Sequence, residues 1–203
     1  KPRDADRILN GKDLLITWRE GITSVVTADI PFNKMSFGYS GRSDGWQDLQ
    51  GNLSMGWEFE KAENGNIAGM AELKIPWWRG SFNIVLSFGE NEDEAVNAAL
   101  KTLKRGYKEI EKEYISDWNG YLAGAEDLSK DSFDGGRLYW ISAMVLKAHI
   151  DKTHNGGVIA SLSIPWGEAR VDADAGGYHL VWPRDIVKTG LGFMAMGNME
   201  TPL

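Results

Sequence analysis

The hydrophobic period of this chain changes at Asn91, and that change limits what each side of it can fold into. Before it, Leu14-Leu15-Ile16-Thr17-Trp18, Thr23-Ser24-Val25-Val26-Thr27-Ala28 and Phe82-Asn83-Ile84-Val85-Leu86-Ser87-Phe88 are short β-branched or aromatic runs. Turn formers such as Arg19-Glu20-Gly21 and Glu63-Asn64-Gly65-Asn66 separate them. Asn64-Gly65 predicts a hairpin joining residues 55–62 to residues 67–75. In Met55-Gly56-Trp57-Glu58-Phe59-Glu60 rings alternate with acids, the pattern of a half-exposed strand. Ser43-Asp44-Gly45-Trp46 reads as a structured turn with Trp46 packed. An antiparallel β-sandwich is the expected architecture of this part.

From Asn91 the period becomes helical. Asn91 and Glu94 form a capping box, and acidic residues crowd the first turn, where the helix dipole favours them. Leu100, Leu103, Tyr107, Ile110, Tyr114 and Trp118 then predict one long helix to about Leu122, with an apolar stripe and a charged opposite face. A second helix is expected from about Arg137 to Asp151, closed by Asn155-Gly156-Gly157. Pro165 pushes Ile164 into extended backbone. Pro183 opens a third helix that Gly197 stops. Helices joined by a long loop suggest the opening of a helical barrel.

Composition removes several classes of function. The net charge is −7 and no basic cluster occurs, which argues against nucleic acid and anionic membranes as partners. With no cysteine, disulfides, thiolate catalysis and cysteine-type zinc sites are excluded. Nothing calls for a cofactor or a metal. Asp172-Ala173-Asp174-Ala175-Gly176 lacks the further ligands of a calcium loop and reads as a solvated turn, and His149 and His154 lack metal-ligand spacing. Ser161 and Ser163 have no credible His/Asp partners. The chain starts Lys1-Pro2-Arg3-Asp4 and ends in the loop-like Asn198-Met199-Glu200-Thr201-Pro202-Leu203, so both of its ends are expected to lie inside a longer polypeptide.

The chemistry concentrates in Tyr178-His179-Leu180-Val181-Trp182-Pro183-Arg184-Asp185. Flat rings at Tyr178 and Trp182 can meet the C–H faces of a sugar. Arg184 supplies rigid fork donors and Asp185 supplies acceptors, and a hydroxyl can serve both. Charge-assisted bonds of this kind contribute about 1.5–3 kcal/mol each. Pro183 restricts the backbone between ring and ion pair. The alternative is that Asp185 merely complements a helix dipole. Trp166, in a Pro-Trp-Gly turn, either lines the same cleft or packs, and His179 reads as a satisfied core histidine.

Ala160-Ser161-Leu162-Ser163-Ile164-Pro165-Trp166-Gly167, followed by the run from Tyr178 to Asp185, resembles the prokaryotic glucoamylase/glucodextranase group of glycoside hydrolase family 15. Gly38-Tyr39-Ser40-Gly41-Arg42-Ser43-Asp44-Gly45-Trp46-Gln47-Asp48-Leu49 is similar to a segment of that group's N-terminal sandwich domain. Glu94-Ala95 with Leu103-Lys104-Arg105-Gly106-Tyr107 is similar to the entry into its inter-domain helices.

The resemblance implies part of a super-β-sandwich over residues 1–90, a helical linker over 91–133, and the first helices of an (α/α)6 barrel over 134–203. It implies an exo-acting, inverting hydrolase that releases glucose from an α-glucan or maltooligosaccharide. Tyr178 and Trp182 match ring-contacting positions, and Arg184 and Asp185 match the pair that binds the terminal glucose hydroxyls.

Inversion needs a general acid and a general base on opposite faces of the sugar. By the same resemblance both carboxylates belong to later barrel segments, so none is assigned here. The rival readings are a non-catalytic glycan-binding module and one half of a split enzyme completed by the missing remainder of the barrel. The expected outcome for the 203-residue chain alone is no glucose release from maltotriose, measured by a coupled glucose assay.

Overall fold

The computed structural model describes residues 3–19, 21–162 and 179–198. The chain divides into two compact units, residues 1–112 and residues 113–203. In the first, strands β1 (Arg3–Leu9), β2 (Lys12–Arg19), β3 (Ile22–Ala28) and β4 (Phe32–Tyr39) precede helix α1 (Gly45–Asn52). Strands β5 (Lys61–Glu63), β6 (Ile67–Leu73) and β7 (Ile84–Gly89) follow, then helix α2 (Glu92–Arg105). Helix α3 (Tyr107–Ala123) leads on to α4 (Arg137–Ala148) and α5 (Pro183–Ala195). The strands form two antiparallel sheets, one ordered β5-β1-β2-β3-β7 and one made of β4 and β6. The expected order, antiparallel β structure followed by helices, is what the chain adopts.

The five-stranded sheet carries apolar residues on both faces, because neighbouring residues on a strand point opposite ways. On one face Leu14, Ile16 and Val25 pack with Ala95, Val96 and Ala99 of α2. On the other Leu15 packs with Phe37 and Ala62, flanked by Val26, Phe32, Met35, Ile67 and Ala71. Full burial of an aliphatic side chain of this size contributes roughly 1.5–3 kcal/mol. Helix α2 is placed by its cap: the Glu94 N–H donates to Asn91 Oδ1 at 3.0 Å, and Glu94 Oε2 accepts from the Glu90 N–H at 3.1 Å. Ser87 Oγ donates to the Ala95 carbonyl at 2.6 Å, joining β7 to that helix.

Four expectations change. Asn64-Gly65 turns the chain, but β5 pairs with β1 and β6 with β4, so the turn moves the chain between sheets instead of closing a hairpin. A two-residue hairpin of the tightest type needs positive φ at both central residues. Asn64 has φ 60° and Gly65 is not left-handed, whereas Asn10 and Gly11, at 52° and 72°, close the β1–β2 hairpin with Leu9 opposite Lys12. Residues 55–59 do not form a ladder strand. They are tied down singly, through the Gly56 and Trp57 amides to Asp48 and the Phe59 amide to Ser36 Oγ.

The expected turn at residues 43–46 is the start of α1, whose cap is Asp44, accepting from the Trp46 and Gln47 amides at 3.0 and 3.1 Å. Glycine makes that docking possible. A Cβ at Gly38 would fall on the Ser43 carbonyl, and one at Gly45 on the Met70 side chain. Trp46, expected to be packed, is exposed, because the helix buries its glycine and turns the ring outward. The long helix breaks at Gly106, which takes φ 80° and gives two helices. The stripe loses its phase there, and Tyr107 and Tyr114 are exposed.

Asp29 ties the loop before β7 to the sheet. It accepts from the Asn83 amide at 3.0 Å, the Asn83 side chain at 2.9 Å and Arg79 Nη2 at 2.7 Å. Burial alone would raise its carboxyl; the Asn83 hydrogen bonds and the Arg79 guanidinium outweigh that and hold it below the ordinary 3.8. Its stabilisation is therefore complete above that ordinary value and is lost as pH falls through the lower, folded-state value. Asp29→Ala is expected to cost about 1–3 kcal/mol in urea unfolding at pH 7. That deficit shrinks when the unfolding is repeated at progressively lower pH below the carboxylate range.

Candidate functional site

The second unit is built around α4 and α5. Phe193, Ala143, Val158 and Met196 are its buried apolar residues among those described. Gly192 lets α5 approach α4, since a Cβ there would already lie 3.0 Å from Leu146 Cδ1. The Tyr121 hydroxyl donates to the Ala143 carbonyl at 3.2 Å. Lys147 Nζ lies 4.9 Å from the ring centroids of both Trp118 and Tyr121 and donates to Asp117 Oδ2 at 2.7 Å. A cation held against two ring faces and a carboxylate is favourable where water is partly excluded.

Helix α4 starts from Asp134. Its carboxylate accepts from the Gly136 and Leu138 amides at 3.1 and 2.8 Å and from the Ser132 hydroxyl. The Ser132 bond, then those of Leu138 and Gly136, hold this carboxyl below the usual range. The sequence motifs above do not include Asp134. The signal was present: an acid two residues before a Gly-initiated helix, free to bind its first amides.

Backbone bonds tie the described residues that precede α5. Ile150 bridges Val158, the Ile159 amide donates to the His149 carbonyl, and the Ala160 amide donates to the Leu180 carbonyl at 3.1 Å. This places Leu180 against Ala160. Pro183 takes the first position of α5, where its missing N–H costs no hydrogen bond. Trp182 precedes it with φ −100° and ψ 131°. Arg184 and Asp185 complete the first turn, so ring, fork donor and acceptor are set within one helical entry.

The three described candidates are open to solvent to different degrees. Trp182 is 37% exposed, the Arg184 side chain 77% and the Asp185 side chain 31%. Arg184 Nη2 lies 3.5 Å from Asp185 Oδ2. Thr189 Oγ1 donates to the Asp185 and Ile186 carbonyls, closing the turn beneath the pair. Such a pair can donate to and accept from one hydroxyl. Tyr178 and Trp166, and the loop Asp172-Ala173-Asp174-Ala175-Gly176, lie outside the described residues. His179 is half-buried.

His154 is exposed and faces Asp151, with Nδ1 3.2 Å from Oδ2. Among the described residues no three His, Asp or Glu side chains could hold a metal, and no helix is long and apolar enough to cross a membrane.

Antiparallel strands followed by helices are the arrangement of a β-sandwich portion joined to the start of an (α/α)6 barrel. Residues 3–123 match the family described as glucodextranase, domain N, and residues 135–201 match glycosyl hydrolases family 15. A glucoamylase from Clostridium sp. (strain G0005) is 38% identical over 194 residues, 95% of this chain and 27% of that protein. The crystal structure of a bacterial glucoamylase complexed with acarbose superposes with a TM-score of 0.85 at 34% identity, over 99% of this chain and 29% of the other. The chain belongs to the prokaryotic glucoamylase/glucodextranase group of glycoside hydrolase family 15. It spans little more than a quarter of the length of these relatives.

Phe193 is fully buried, whereas Val187 on the same helix is exposed. Phe193→Ala is expected to destabilise the second unit by about 3–5 kcal/mol. Val187→Ser is expected to stay within about 0.5 kcal/mol. Urea unfolding of both variants, followed by circular dichroism, checks the contrast.

Proposed function

We propose that this chain is part of an exo-acting, inverting α-glucan hydrolase that releases glucose from non-reducing ends. The observation that carries the reading is the Trp182-Pro183-Arg184-Asp185 entry into α5, exposed and self-paired, in a chain 38% identical to a glucoamylase. In this reading Arg184 and Asp185 grip the hydroxyls of the terminal glucose, and Tyr178 and Trp182 contact its ring, with Trp166 along the cleft. A terminal unit held through its far hydroxyls leaves no room for the chain to continue past it, which makes the enzyme exo-acting.

The domain bounds follow the same reading: sandwich over 1–90, linker over 91–133, barrel over 134–203. Support comes from the two family matches, which leave residues 124–134 between them. None of the residues assigned to the pocket is a general acid or base. Those two carboxylates are contributed by later helices of the barrel, one protonating the leaving oxygen and the other activating water on the opposite face.

A polypeptide joining this chain to a full set of barrel helices is the sample that tests the reading. It should release glucose from maltotriose, with the β-anomer appearing first in a proton NMR time course. Asp185→Asn removes one charge-assisted bond worth about 1.5–3 kcal/mol, a loss of roughly 10- to 150-fold in kcat/KM. The α-anomer appearing first, or internal cleavage of longer maltooligosaccharides, would overturn it.

A further inference from the structure

We propose that Trp77 and Trp78 form a glucan-binding platform on the sandwich unit, selective for the curved chain of an α-linked glucose polymer. The ligand class rests on the α-glucan reading above; the location rests on geometry alone. Trp77 is 92% exposed and Trp78 72%, and neither belongs to either core cluster. Large aromatic surface left in water marks a binding surface more often than it marks packing.

The rings are presented by a braced turn. The Arg79 amide donates to the Pro76 carbonyl at 2.9 Å, so the two tryptophans are the central residues of a tight turn. Arg79 Nη2 donates to Asp29 at 2.7 Å and its Nε to the Ser81 carbonyl at 2.8 Å. The Lys74 amide donates to the Pro31 carbonyl at 3.0 Å on the other side. A turn held at both ends loses little freedom on binding, which favours affinity.

Ring geometry selects the ligand. The centroids are 5.6 Å apart and the planes meet at 90°. The C–H face of a pyranose is apolar and lies flat on an aromatic ring, while each indole N–H can donate to a hydroxyl. A β-linked glucan is a flat ribbon whose successive units suit coplanar rings. An α-linked chain turns at every unit, so rings at a steep angle meet adjacent units in sequence. The polymer is uncharged, and so is compatible with a protein of net charge −7, which disfavours nucleic acid and anionic lipid as occupants.

The test is native affinity electrophoresis of the protein in gels holding soluble starch or hydroxyethylcellulose, with the variants W77A, W78A, W77A/W78A and D185N. Thermal melting confirms that all of them fold. The expected result is retardation by starch and not by the cellulose derivative, weakened about tenfold or more by W77A/W78A, the scale on which aromatic anchors act elsewhere. Starch retardation that W77A/W78A leaves intact overturns the platform, and if D185N alone abolishes it the α5 pocket reading still stands. Equal retardation by both polymers, or none for the wild type, also overturns it. Sedimentation velocity covers the other occupant: a dimer that W77A/W78A dissolves, with no retardation by starch, would assign the rings to a second copy. If W77A/W78A loses starch binding while the barrel-joined chain releases no glucose, the platform stands and the catalytic reading fails.

Discussion

The five-stranded sheet must hide both of its faces, and that requirement organises the first unit. Leu14 and Ile16 point one way and Leu15 the other, so a helix alone or a second sheet alone leaves half of the apolar surface wet. Helix α2 covers one face and the β4–β6 ribbon covers the other. The glycines at 38, 45 and 69 follow from this. They sit where backbone or a side chain comes closer than a Cβ would allow, with Phe37 lying over Gly69. The cover given by β4 and β6 is narrower than the sheet it lies on, and Ile84, Leu86 and Phe88 of the edge strand β7 are exposed.

In the second unit the same logic acts through fewer groups. Phe193 and Ala143 bury the seam between α4 and α5, and polar side chains hold the surrounding turns through backbone amides. Lys147 contributes both a stem and a charge, packed against Trp118 and Tyr121 and tied to Asp117. The outcome is a packed seam between α4 and the later turns of α5. Arg184 and Asp185 are then oriented by the helix and not by a loose loop. The saccharide pocket proposed for this turn would depend on that order, because a hydroxyl is bound by donors and acceptors already in place.

Much of this was legible in the residues. The helix cap at Asn91, the start of α5 at Pro183 and the left-handed stop at Gly197 depend on a few neighbouring atoms, and they stand where their sequence signals lie. The Asn64-Gly65 signal misled because a turn dipeptide specifies a change of direction but not the strand that the chain meets next. Asn10-Gly11, with the same two letters, closes a true hairpin because the pairing of Leu9 with Lys12 demands it. Gly106 misled in the opposite sense: the stripe from Leu100 to Trp118 has helical spacing throughout, yet one residue at φ 80° splits it.

Sequence alone determined the order of β before α, the helix starts at Asn91 and Pro183 and the stop at Gly197, the absence of cysteine chemistry and the grouping of Trp182, Arg184 and Asp185, since each is set by contacts within a few residues. Tertiary structure alone decided which strands pair, that Trp46 faces outward on a capped helix, and that Trp77 and Trp78 stand side by side on a braced turn. Those outcomes depend on groups far apart in the chain, such as Asp29 reaching Arg79 and Asn83, and no local pattern specifies where such partners meet.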